Sequence, residues 1–223
     1  MQNVIKIFCC LVTYCLSMCL MAQPPQFSLA TDVGVQRSFR PDQQFWAFGH
    51  TIQGQLHASY TDAIYCWLSY YTNGKFRNEL QATAKSPATV PQQIDYTNKA
   101  TMGFQQFSIG WKKYLKGNYA IETGWSLYTY AGFGILFGNV VNEQTAVIDT
   151  SLYNVQVKNG SGKFKRLTLD LGLGAEFPIG AGYFIYTEGR LWVPASDYPS
   201  KYVYVNDDAP LVGMFNAGIR ILF

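Results

Sequence analysis

The chain has 223 residues, enough for one domain with a sizeable core. Aromatic residues make up 16% and charged residues 14%, whereas a soluble domain carries roughly 25% charged residues. So few charges exclude an intrinsically disordered chain, a coiled coil and a nucleic-acid binder that works by neutralising phosphates. The formal net charge of +3 is too small to imply an acidic partner.

Residues 1–22 read as a secretory signal. Lys6 supplies the positive region, Ile7 to Leu20 the apolar stretch, and Met21-Ala22 a small residue before Gln23. A retained anchor is the alternative, and Leu16-Ser17-Met18-Cys19 loosely resembles a lipobox, although Met18 is bulky where that pattern needs a small residue. Cys9, Cys10, Cys15 and Cys19 all fall within the signal, leaving Cys66 alone in the mature part, residues 23–223. One thiol makes neither an intramolecular disulfide nor a cysteine zinc site, so packing and backbone pairing must supply the stability. After residue 22 no apolar run approaches 18 residues, which argues against a later transmembrane helix.

Beyond the signal the hydrophobic period is two. Residues 27–37 set Phe27, Leu29 and Val33 against Ser28, Asp32 and Gln36, and residues 50–60 set Ile52 and Leu56 against Thr51, Gln53, Gln55, His57 and Ser59. Tyr65 to Phe76 is too aromatic for its faces to be assigned. Met102 to Tyr114 places Phe107, Ile109 and Trp111 opposite Gln106, Ser108 and Lys112, and Tyr119 to Phe133 sets Ile121 and Trp125 against Glu122 and Ser126. The clearest segment is 164–177, where Leu167, Leu169, Leu171 and Leu173 share a face opposite Arg166, Asp170 and Glu176. A helix would scatter those leucines around its circumference, whereas a strand collects them. Tyr183 to Val193 and residues 211–223 repeat the pattern. That makes eight strands, most of about 11 to 15 residues, longer than the usual 5 or 6 and enough to cross a bilayer when tilted.

The connections alternate long and short: 38–49, 61–64, 77–101, 115–118, 134–163, 178–182 and 194–210. Lys116-Gly117-Asn118 and Pro178 to Gly182 are tight-turn chemistry. Aromatic residues fall at strand ends, with Phe27, Tyr60, Tyr65, Trp111, Tyr114, Tyr119, Phe177, Tyr183 and Phe223 on the short-turn side. Trp46, Phe48, Tyr71, Phe76, Phe104, Phe133, Phe164 and Trp192 lie on the other. Two such belts are expected where amphipathic rings meet the two headgroup layers of a membrane. The predicted fold is all-β: an eight-stranded antiparallel up-and-down transmembrane β-barrel, with long loops on one side and both termini on the other.

In this pattern the chain resembles the small eight-stranded outer-membrane barrels of Gram-negative bacteria and, in style, the outer-membrane β-barrel domain proteins of Bacteroidetes. The resemblance covers the whole mature part. Its most specific element is the last strand, where Asn216, Gly218, Ile221 and the terminal Phe223 look like the signal read by the barrel-assembly machinery. The resemblance implies export, passage with periplasmic chaperones, insertion from the periplasm into outer-membrane lipid, and both termini periplasmic.

An eight-stranded barrel fills its interior with side chains. Asp32, Glu122, Asp170, Glu176 and Glu188 read inward, with Lys112, Arg166, Arg190 and Arg220 as their partners, and buried charges must pair. An interior charge network is the expectation. No phosphate loop, zinc spacing or nucleophile elbow appears, so no cofactor is expected. His57-Ala58-Ser59 resembles the His-x-Ser pair of lipid A deacylases, but it reads at the short-turn end, and that family's pair lies near the opposite one. The expected function is therefore non-enzymatic: long loops that bind an extracellular partner or support the envelope. The alternatives are a lipid A-modifying enzyme and a subunit of a transport or secretion complex. A soluble lipocalin-like barrel is opposed by the outward leucine row at 167–173.

Overall fold

The computed structural model describes residues 26–195 and 211–223. The expected signal and most of the last long connection lie outside them. Nine strands follow in order: β1 (Gln26–Ser38), β2 (Trp46–His57), β3 (Asp62–Ala84), β4 (Gln93–Lys116), β5 (Ser126–Gln144), β6 (Tyr153–Asn154), β7 (Gly160–Gly180), β8 (Tyr183–Pro194) and β9 (Val212–Leu222). All pairings are antiparallel within one sheet of order β2-β1-β9-β8-β7-β5-β4-β3-β6, and β2 also pairs with β3. The topology is barrel-like, and each long strand has a partner on both sides.

The period of two decides which side chains are enclosed. On β1, Ser28, Ala30, Asp32 and Gln36 are buried while Leu29 and Val33 are exposed, and on β7 Arg166, Thr168, Asp170 and Glu176 are buried opposite exposed Leu167, Leu171 and Leu173. The aromatic stretch that could not be assigned resolves cleanly on β3. Ala63, Tyr65, Trp67, Ser69 and Tyr71 point inward, and Ile64, Leu68 and Tyr70 outward. A bulge between Tyr71 and Gly74, with Asn73 at φ 63°, then shifts the register. A side chain at Gly74 would press on the Phe45 ring, its Cβ standing 2.8 Å from Cδ2.

Three expectations are corrected. The segment Tyr119 to Phe133 is not a strand from its start: β4 runs to Lys116, Gly117 turns at φ 74°, and β5 begins at Ser126. Asn118 organises this connection, its side chain accepting from the Ala120 N–H at 2.9 Å and its carbonyl from Ser126 Oγ at 3.0 Å. Glu122 is consequently exposed in the connection and does not point inward.

The long connections are also shorter than expected. β3 continues to Ala84 and β4 starts at Gln93, so only 85–92 of the 77–101 segment is a loop; likewise 145–159 replaces 134–163. On β3 and β4 these extensions are polar outward, with Arg77, Glu79, Gln81, Asp95 and Lys99, and carry Leu80, Ala82 and Tyr96 inward, the reverse of the polarity lower on the strands. They hold by pairing, with Gln81 giving a 2.8 Å bond to Asp95 across the ladder. Leu80, Ala82, Tyr96, Tyr153 and Val157 form a small core of their own against the inner face. β3, β4, β5 and β7 therefore stand well above β1, β2, β8 and β9 as a half-wall.

The third correction concerns the aromatic belts. Tyr65, Tyr71, Phe104, Tyr114, Tyr119, Phe164 and Trp192 are buried, and Phe76 is half-buried against the core. Phe27, Tyr60, Trp111, Phe177, Tyr183 and Phe223 remain exposed on the short-turn side, and Trp46, Phe48 and Phe133 on the other. The enclosed volume has to be filled, and large rings fill it where charges alone would leave voids.

The short turns are built from local polar bonds. Asp62, at the turn where β3 begins, accepts from Lys113 Nζ at 2.9 Å, Trp111 Nε1 at 3.0 Å, Ser59 Oγ at 2.8 Å and Thr61 Oγ1 at 2.8 Å. Burial pushes its carboxyl up, but these donors together outweigh burial and hold it well below the usual carboxylate range. A carboxyl depressed in the folded state stabilises it fully above the ordinary value of about 4, and that contribution fades as the pH falls below it. Asp62→Asn is therefore expected to lower stability at neutral pH, with the gap to the parent narrowing on acidification; urea unfolding of both proteins at several pH values checks this.

At the β1–β9 pairing, Asp32 faces Gly218 and Gly34 faces Asn216. A Cβ at Gly218 would sit against the Thr31 carbonyl oxygen and 2.7 Å from the Asp32 Cβ, where backbone cannot give way. Gly218→Val is expected to destabilise by about 2 kcal/mol or more, read as a lower urea midpoint in lipid or detergent.

Candidate functional site

The polar side chains on the enclosed face converge on three connected groups. At mid-height Arg190, from β8, gives one 2.9 Å bond to Asp32 Oδ2, forms an ion pair with Glu188, and gives a 3.0 Å bond to Thr51 Oγ1. Its guanidinium lies 4.5 Å over the Trp67 ring. Tyr186 and Tyr128 supply hydroxyl donors to Asp32 and Glu188, each at 2.9 Å. Asn216 Nδ2 bonds Asp32 Oδ1 at 2.6 Å and Tyr71 Oη at 2.9 Å.

Nearer the short turns, Arg220 grips Glu176 with two bonds, 3.1 and 2.7 Å. It also bonds Ser28 Oγ at 3.0 Å and the Tyr119 carbonyl at 2.7 Å. Lys112 approaches the same Glu176 at 3.5 Å and lies 3.6 Å over the Tyr128 ring. The third group is neutral in its donors: Asp170 accepts from Ser108 and, at 2.8 Å, from Gln106, which in turn accepts from Trp67 Nε1 at 2.9 Å.

The structure thus buries Asp32, Asp170, Glu176, Glu188, Arg190 and Arg220, and brings all but Asp170 into ion pairs with one another or with Lys112. Arg166 is buried as well. Glu122 takes no place among them. Of the last-strand residues, Asn216 is buried in the mid-height group, Gly218 and Ile221 are partly exposed in the ladder, and Phe223 stacks on Phe27 with ring centroids 6.3 Å apart. The sequence reading missed Gln106, Ser108 and the tyrosine hydroxyls as members. The available signal was parity: Gln106 and Ser108 alternate in step with Lys112 on β4, and Tyr186 with Glu188 and Arg190 on β8.

His57 and Ser59 do not form a pair. Ser59 stands exposed in the turn and bonds Asp62, while His57 is buried, its Nε2 lying 2.6 Å from Ser28 Oγ and its ring stacked 4.3 Å from Tyr119. β2 stops at His57, so the alternation that would have carried Ser59 inward ends before it. Tyr119 and Tyr60 stack in turn at 5.7 Å, closing the short-turn end with rings. The arrangement supports packing and charge pairing: every cation named above lies within bonding distance of a carboxylate or over a ring.

Solved structures share this fold. The chain resembles Neisserial surface protein A (NspA) at 10% identity, with 88% of this chain and 97% of that one covered and a TM-score of 0.56. It resembles OprG from Pseudomonas aeruginosa at 8% identity, covering 90% and 97%, with a TM-score of 0.51. A third is Ail, the attachment invasion locus protein of Yersinia pestis, in complex with the heparin analogue sucrose octasulfate, at 11% identity over 90% and 100%, TM-score 0.50. At such identities the likeness is one of fold, that of small outer-membrane β-barrels. No protein-family model matches the chain, and no curated protein matches its sequence.

Breaking one partner of a buried ion pair strands the other, at a cost of about 3–5 kcal/mol. Arg190→Met, which leaves Asp32 and Glu188 facing each other, is expected to fall in that range. Adding Glu188→Gln should recover part of the loss, and urea titrations of the parent, single and double variants would reveal it.

Proposed function

We propose that the chain is a non-enzymatic integral outer-membrane protein whose eight long strands close into a barrel that spans the bilayer, and whose projecting half-wall binds a partner outside the cell. One observation carries the reading: large apolar side chains lie outward along the long strands, such as Leu68 at 61% exposure and Phe133 at 68%, while the charges lie inside. Water would penalise that arrangement, and hydrocarbon favours it. The pairing of β1 with β9 and of β2 with β3 supports closure, since an open edge in lipid leaves backbone groups unsatisfied.

On this reading β9 ends on the periplasmic side, where Asn216, Gly218, Ile221 and Phe223 would be read by the assembly machinery after transit with chaperones. The style remains that of Bacteroidetes outer-membrane domains, and the first 22 residues are removed on export.

The half-wall is the part that reaches a partner, because recognition is carried by segments held out on a rigid scaffold. Attachment, which the name of Ail records for that protein, is the use proposed for these hairpins.

The orientation has a direct test. In a Cys66→Ser background, Ala88→Cys at the 85–92 loop is expected to react with a membrane-impermeant maleimide on intact cells, and Lys116→Cys only after permeabilisation. The protein should resist carbonate extraction. The reverse labelling pattern, or release by carbonate, would contradict the reading.

A further inference from the structure

The outward face is not uniformly covered. Two adjacent rows of outward positions cross β1, β9, β8, β7 and β5 in register. The first runs Arg37, Gly213, Leu191, Leu171, Ala131, and the second Val35, Phe215, Gly189, Leu173, Thr129. Gly189 lies between Phe215 and Leu173 with open space above it, while Gly213, between Arg37 and Leu191, is covered by the Phe39 ring, whose Cε2 stands 2.8 Å from where a Cβ would be. The result is an apolar groove of about 760 Å³.

The groove runs obliquely because the strands are offset. Its β1 end is near the top of β1, next to Trp46 and Phe39 at the long-loop rim, while Thr129 and Ala131 lie near the short-turn start of β5. Four strand spacings of about 4.8 Å give it a length of about 19 Å, comparable to one leaflet of a hydrocarbon core about 30 Å thick. Its rim end is the charged one. The Arg37 guanidinium lies 5.0 Å over the Trp46 ring and gives one N–H to Gln44 at 3.1 Å; an arginine has five N–H donors in a fork suited to phosphate. A ligand with a phosphate at the rim and an acyl chain descending from it fits both ends.

We propose that this groove is a binding site for the phosphorylated glycolipid of the outer leaflet, lipid A, with one acyl chain passing the Phe39 ring and laid over Gly189, and a phosphate held by Arg37. The proposal rests on the orientation given above, which puts the rim in the outer leaflet. Gly189 makes a clean probe. It has ordinary strand backbone, and a Cβ there would meet nothing closer than the Met214 carbonyl oxygen at 4.0 Å, so a larger side chain fills the groove without displacing the fold.

The test is native mass spectrometry of the purified, detergent-solubilised protein incubated with bis-phosphorylated lipid A, with its phosphate-free form, or with phosphatidylethanolamine. The parent is expected to retain one bis-phosphorylated lipid A in preference to phosphatidylethanolamine. Gly189→Leu should reduce retention of both lipid A forms about tenfold; Arg37→Ala should reduce the phosphorylated form by about as much and leave the phosphate-free form unchanged. Equal retention of lipid A and phosphatidylethanolamine by the parent, or undiminished lipid A on Gly189→Leu, overturns the site. A boiled-against-unboiled gel of all three proteins separates the two readings. Loss of the mobility shift in the parent would count against the barrel itself, whereas an intact shift with unselective lipid binding counts against the groove alone.

Discussion

Backbone hydrogen bonding is the constraint on which the rest of this structure depends. A strand in hydrocarbon has no water to satisfy its N–H and C=O groups, so each must find a neighbouring strand. On the proposed placement in a bilayer, that requirement explains why β1 runs against β9 along eleven partner pairs from Ser28 to Ser38, although the two lie at opposite ends of the sheet's strand sequence. It also explains the short turns on one side. Only antiparallel neighbours in sequence can be joined by a few residues such as 58–61 or 181–182, and those turns set the registers that the side chains then use.

Given a paired cylinder with lipid outside, polarity has to invert. The described interior buries four carboxylates, Asp32, Asp170, Glu176 and Glu188, and four cations, Lys112, Arg166, Arg190 and Arg220. Desolvation penalises each charge by several kcal/mol, and only pairing with good geometry offsets it. The two-bond contact of Arg220 with Glu176, and the placement of Arg190 between Asp32 and Glu188, meet that demand. Rings occupy the remaining space. Tyr65 and Trp67 stack with centroids 4.4 Å apart, and Tyr130 meets both edge-on. Such a filled interior suits a rigid support for the half-wall better than a path for solutes.

The strands proposed to lie at membrane depth were legible because one face is strictly apolar: Leu167 to Leu173 and the last strand announce themselves by alternation alone. The upper parts of β3 and β4 were not legible, because there the polar face turns outward and only a few small or scattered apolar residues, Leu80, Ala82 and Tyr96, mark the inner one. Arg77-Asn78-Glu79 reads as a loop and is a strand. Parity identified most of the buried charges before any coordinates, since it needs only the position of a residue within a correctly bounded strand. Where the boundary was wrong, parity failed with it: Glu122 was assigned to a strand that starts four residues later, and Ser59 to one that had already ended. Aromatic residues misled for a different reason. Tyrosine and tryptophan suit both a headgroup layer and a tight polar interior, and abundance at strand ends does not say which face they take.

The account stands on the seam between the first and last strands, and amide hydrogen exchange in a lipid bilayer examines it most directly. If the cylinder is closed, the amides of Leu29 to Val35 and of Phe215 to Ile221 exchange as slowly as those at the centre of the β7–β8 ladder. Fast exchange confined to those two segments, with the other ladders protected, would mean an open edge facing lipid and would contradict the closed, inverted barrel.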